Sequence, residues 1–169
     1  MSAARSLEPW RWLGIPLLQV LGATVLFGVP LRVFGLQLPE PLFAMPVVFA
    51  WAVIRPSVLA PMSVLLIGLF CDIFWGGRMG LWAMCFLLAY GMVLGGRNMM
   101  AGQSRVMLWA WYAIVTGAAM AAGYLFVMMH AKAAPSLVSV AWQFLATIIL
   151  YPFAHRLIDM YEDADVRFR

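Results

Sequence analysis

Charge is what this chain has least of. Lys and Arg number 11 and Asp and Glu 7 in 169 residues, so 11% of the chain is charged, where an average soluble domain carries about 25%. The deficit is patterned. The twenty residues between Arg11 and Arg32 hold no formal charge, and low-charge apolar stretches return at 41–54, 57–75, 79–96, 106–129 and 133–154. A helix of about 20 apolar residues matches the roughly 30 Å hydrocarbon core of a bilayer. Six such segments leave almost no length for an aqueous domain. The expected architecture is all-α and polytopic: a cytoplasmic segment over 1–11, a six-helix transmembrane bundle over 12–156, and an acidic cytoplasmic tail over 157–169. The first stretch is longer than a signal-peptide core, and its small residues Gly22 and Ala23 lie in its middle, so it reads as a retained span.

Cysteine is nearly absent too. Cys71 and Cys85 are the only two, and both lie inside apolar stretches. That excludes a secreted disulfide framework and predicts two small buried hydrophobes. Catalytic constellations are missing: the chain has no GxSxG elbow with a histidine partner, no HExxH, no phosphate-binding loop and no aspartate pair of an intramembrane protease. His130 and His155 fall at the ends of different spans, on opposite sides, and neither has a Cys or carboxylate cluster beside it. Interfacial snorkelling accounts for both. Neither an enzyme nor a cofactor nor a metal is expected. The net charge of +4 reads as loop anchoring at the membrane surface and contact with lipid, not as nucleic-acid binding.

The charges that are present sort by side. With both termini cytoplasmic, Arg5, Arg11, Arg55, Arg97, Arg105, Arg156, Arg167 and Arg169 lie inside, while Arg32, Arg78 and Lys132 lie outside. That is eight against three, the bias expected of an inner-membrane protein. The weak element is the second span. At fourteen residues, 41–54 is in the range of re-entrant segments, and Pro46 threatens a kink. Without it, the best orientation of five spans gives seven against four. Gly95-Gly96-Arg97 reads as the inner end of the fourth span. Tyr151-Pro152 predicts a bend in the sixth, with Pro152 as the kink.

Helix association in a bilayer needs close backbone approach. Gly91 and Gly95 form a GxxxG pair, and Gly117 with Ala121 a small-xxx-small pair, either for internal packing or as a face for a partner helix. Asp72 is the sole acid within a span. About fifteen steps of 1.5 Å from Ser57 put it toward the outer face, where a salt bridge to Arg78 or a cap would set the turn through Gly76 and Gly77. A ligand or proton site is the other reading of such a carboxylate.

The run from Gly68 through Asp72, Gly76, Arg78 and Gly80 to Ala83, with a later Tyr90, resembles the signature of the MreD family of bacterial rod-shape-determining membrane proteins. Arg55-Pro56 and Tyr151-Pro152 are similar to that family's basic turn and late aromatic-proline step. The resemblance implies a six-helix fold similar to the S-components of energy-coupling-factor transporters. It also implies a non-enzymatic scaffold of the cell-elongation complex, acting with MreC and, in a larger assembly, with MreB, RodA and a class B penicillin-binding protein to organise peptidoglycan synthesis. On this reading Gly68, Asp72, Gly76, Arg78, Gly80 and Tyr90 shape a partner-facing corner, and Arg55, Arg97, Arg105 and Arg156 form a basic cytoplasmic rim. The alternative is an S-component-like protein that binds a vitamin or other small solute. It predicts an outward pocket with several converging polar groups. A small carrier relaying protons through Asp72 would show internal repeats, and none is evident.

Overall fold

A computed structural model describes residues 13–28, 31–33, 36–38, 40–54, 57–131 and 136–166. The order is α1 (Ile15–Phe27), β1 (Leu31–Val33), β2 (Leu36–Leu38), α2 (Ala44–Ile54), α3 (Leu59–Phe74), α4 (Leu81–Met100), α5 (Arg105–Ala131), α6 (Leu137–Ile149) and α7 (Tyr151–Val166). The chain is thus helical. Its one sheet among the described residues is the antiparallel β1–β2 hairpin, pairing Leu31 with Leu38 and Val33 with Leu36, where the sequence predicted only a loop. Three segments, Leu81–Met100, Arg105–His130 and Leu137–Met160, are long and apolar enough to cross a membrane. Helices α1, α2 and α3 are apolar but shorter.

The weakest span in the sequence is the centre of the molecule. Helix α2 has 11 residues, about 16 Å at 1.5 Å per residue, and every residue from Ala44 to Ala52 is buried. It packs against α1, α3, α4 and α7. Pro46 sits in its first turn, where a missing N–H breaks no intrahelical bond, so the expected kink has no cause there. The ends of α2 are satisfied from elsewhere. The Leu42 N–H donates to the hydroxyl of Thr147 (3.0 Å), and the Arg97 guanidinium donates to the carbonyls of Val53 (3.1 Å) and Ile54 (3.3 Å). A helix too short to reach water at both ends is tolerated when protein supplies the missing partners.

Backbones approach closely at three small residues. Gly68 of α3 lies against the backbone of Ala83 in α4, Gly123 of α5 against the Cys85 sulfur, and Gly117 of α5 against the Phe144 ring of α6. Around α2 the aromatic core is Phe49 edge-on to Tyr112, centroids 5.4 Å apart, with Tyr112 in turn 5.7 Å from Tyr151.

Three boundaries move from their expected places. Helix α4 runs through Gly95-Gly96 and stops only at Ala101, followed by Gly102 at φ +74°. The left-handed glycine that ends a helix is therefore Gly102. The last span breaks at Leu150, because Pro152 has no N–H to continue the ladder. Phe153 instead donates to the Leu150 carbonyl, at 3.0 Å. Beyond the break α7 continues to Val166, with Leu157 and Ile158 buried.

Candidate functional site

Of the residues singled out between Gly68 and Tyr90, Asp72, Gly76, Arg78 and Gly80 meet at the turn joining α3 to α4, while Gly68 and Tyr90 lie within the helices. Helix α3 closes with Trp75 and Gly76 donating to the carbonyls of Cys71 (3.0 Å) and Ile73 (3.2 Å), and Gly77 donating to that of Asp72 (3.1 Å). Gly76 and Gly80 have φ of +62° and +95°, the left-handed region that a side chain disfavours. The chain thereby reverses within a few residues, and α4 starts beside the end of α3.

Asp72 is 1% exposed, and its two carboxylate oxygens accept from the backbone N–H groups of Gly80 (2.8 Å) and Trp82 (2.9 Å). Those donors belong to the start of α4, where the first turn has no intrahelical acceptors and the helix dipole favours negative charge. Gly80, at the cap position, has no side chain to do this. Asp72 is thus the cap of a helix it does not belong to. The expected salt bridge to Arg78 does not form. The Arg78 guanidinium points across the turn to the carbonyl of His130 (3.5 Å), tying the corner to the end of α5. Among the described residues the one approach of a basic side chain to a carboxylate within 4 Å is that of His155 to Asp159, 3.4 Å apart in α7. Trp75 and Trp82 meet edge to face at 5.1 Å and flank the turn. Tyr90, two turns into α4, is buried and its hydroxyl meets the backbone of Ser57.

The four arginines of the expected basic rim have different surroundings. Arg55 lies outside the described residues. Arg97 is taken up by the carbonyls that end α2. Arg105 and Arg156 are exposed, and the Arg105 carbonyl accepts from the Tyr151 hydroxyl (3.1 Å). The small-residue pairs also divide. Gly117 packs on Phe144, but Gly91 and Gly95 are exposed with nothing within 4 Å of an added Cβ, and Ala121 is exposed. The GxxxG face therefore has no partner among the described residues.

Sequence reading missed the polar seam on α6. Thr147, buried, donates to the Gln143 carbonyl (2.6 Å) while its hydroxyl accepts from Leu42. The Gln143 amide donates to the Glu40 carbonyl (3.1 Å) and the Tyr112 hydroxyl to the Thr147 carbonyl (3.0 Å). A signal existed: Gln143 and Thr147 are four apart on one helical face, but attention to charge passed over them.

Next to the corner, between α4, α5 and α6, is a cavity of about 160 Å³. Cys85 and Met120, both buried, form its inner wall, and Leu81, Val127 and Val140, partly exposed, surround its mouth. Leu81 and Trp82 in its lining directly follow Gly80, so the Asp72 cap also positions this wall. The polar side chains in the lining are Tyr124 and Gln143. No protein-family model, curated protein or solved structure matches the chain.

Proposed function

We propose that this chain is a multi-pass protein of the bacterial inner membrane, with six helical spans and both termini cytoplasmic, and that it serves as an MreD-like, non-enzymatic scaffold of the cell-elongation complex. The observation that carries this reading is the corner. Five residues of the run that resembles the MreD signature each have a mechanical task in or beside one turn. Gly68 admits Ala83, Asp72 caps α4, Gly76 and Gly80 reverse the chain, and Arg78 ties the turn to α5.

Contacts between helix ends support the six-span reading. Gly28 at the end of α1 lies against the Phe74 ring, and Arg78 reaches His130. The hairpin side, the α3–α4 turn and the end of α5 thus share one end of the molecule. Arg97 joins the ends of α4 and α2 at the other. Large apolar side chains such as Leu26, Leu66, Met84, Leu125 and Ile149 stand exposed around the outside, as suits a lipid-facing surface. The open Gly91/Gly95 face offers a partner helix the close approach that association in lipid requires, and the single span of MreC is the proposed occupant. Solute capture has the cavity in its favour, but two polar side chains in an apolar lining are a poor set for a vitamin.

Depleting the protein in its host tests the proposal. Rods that widen and round up in complete medium are the expected result. Cells that keep their shape but need an added vitamin would overturn it in favour of solute binding.

A further inference from the structure

The cavity between α4, α5 and α6 holds nothing that would select a polar solute. No charged side chain lines it. One Gln143 amide N–H is already donating to Glu40, which leaves its second N–H and carbonyl oxygen, the Tyr124 hydroxyl and the Trp82 indole N–H as the polar features. Walls of Leu, Val, Met, Trp and Cys make water a poor occupant: a cavity of about 150 Å³ with an apolar lining stays dry and takes up benzene. By that standard about 160 Å³ has room for about six carbon atoms. The mouth opens beside apolar surface. Met84 and Leu88, exposed on α4, follow Leu81 and Cys85 by three residues on the same helical face, and exposed Leu137 on α6 precedes Val140 by three.

From size, lining and surroundings we propose that the cavity is a binding site for the methyl end of one acyl chain of a bilayer lipid. The chain enters between α4 and α6 and reaches Cys85 and Met120. The proposal rests on the membrane reading above. A bound chain would fill the space that the close approach of Gly123 to Cys85 leaves beside it, coupling the α4–α5–α6 contact to the surrounding lipid.

The test is photolabelling of the full chain in vesicles of phosphatidylethanolamine and phosphatidylglycerol. A small fraction of the phosphatidylethanolamine carries a diazirine near the methyl end of one acyl chain, and adducts are mapped by peptide mass spectrometry. Adducts are expected on Cys85 or Met120, which protein shields from bulk lipid, as well as on exposed Met84 and Leu88. Val140→Trp, which fills the mouth, should abolish the Cys85 and Met120 adducts and spare those on Met84 and Leu88. Val127→Phe provides the same test if that variant does not fold. Adducts on Met84 and Leu88 alone, or Cys85 labelling that persists in the filled variants, would overturn the site while leaving the membrane reading intact. Absence of adducts on every apolar face would overturn the membrane reading itself. Cys85 labelling in vesicles that disappears in native membranes would mean that a protein side chain is the occupant, and would also overturn the proposal.

Discussion

Removing the Asp72 carboxylate leaves two part-buried N–H groups at the start of α4 without their acceptors. Hydrogen bonds to a charged group contribute about 1.5–3 kcal/mol each. Asp72→Ala should therefore destabilise the protein by about 3 kcal/mol, and Asp72→Asn, which keeps one acceptor oxygen, by about half as much. Thermal unfolding in detergent checks the order. Equal stability of Asp72→Ala and wild type would refute the capping role. Arg78→Ala should cost less, because Arg78 is exposed and holds one long contact to His130. An Asp72–Arg78 salt bridge would instead make the two losses alike. Gly68→Ala drives a methyl into the Ala83 backbone and should cost about 1–3 kcal/mol by overpacking, measured the same way. That Asp72 matters was legible in the sequence, since a lone carboxylate in an apolar stretch must be answered by something. That the answer would be a salt bridge to Arg78 or a cap was legible too, but which of the two was not. Arg78 is the nearest cation in the chain, but the tight turn puts backbone donors closer than any side chain.

At the scale of elements, α2 is the case where length misleads. Eleven helical residues are too few to cross the roughly 30 Å of hydrocarbon, and hydropathy alone reads α2 as marginal. It is buried from Ala44 to Ala52 because α1, α3, α4 and α7 enclose it and because Thr147 and Arg97 terminate it. Thr147→Val keeps the shape but strands the Leu42 N–H and should cost about 1–3 kcal/mol, with amide exchange accelerating first at the start of α2. Thr147→Ser, which restores the hydroxyl, should return most of that loss. Unchanged exchange in Thr147→Val would show that the hydroxyl does not hold α2. Helix ends teach the same lesson. Gly95-Gly96 looks like a stop, but a glycine ends a helix only when the chain adopts a left-handed turn there, and the turn falls at Gly102. Leu150 marks the break in the last span because Pro152 acts on the turn before it, so that bend was readable from composition.

For the whole molecule, the open glycine face of α4 separates stability from assembly. With nothing within 4 Å of either added Cβ, Gly91→Leu with Gly95→Leu should leave the melting temperature unchanged or raise it, because leucine favours the helix over glycine by nearly 1 kcal/mol per site. The same pair should abolish co-purification of MreC if that face receives its span. Retained co-purification would move the interface elsewhere, and a fall in stability would mean that the face is packed within the chain after all.

Composition and periodicity by themselves determined that this protein is a set of apolar helices, with its few polar residues at turns and helix ends and with Asp72 beside the turn through Gly76 and Gly77; the resemblance implied Gly68 and Gly80 as further parts of that corner. Those properties are local: they depend on the spacing of charge, on glycine at left-handed positions and on proline at helix starts and breaks. The tertiary structure alone decided that α2 is the core, that Asp72 caps α4, that Arg97 closes α2, and that Gly91 and Gly95 face outward. It also placed a cavity beside Cys85. Each of these depends on which surfaces meet across more than one helix, and in a chain so uniformly apolar, hydrophobicity does not distinguish a face against protein from a face against lipid. Shape complementarity and the positions of a few backbone donors and acceptors make that distinction, and they exist only once the helices are packed.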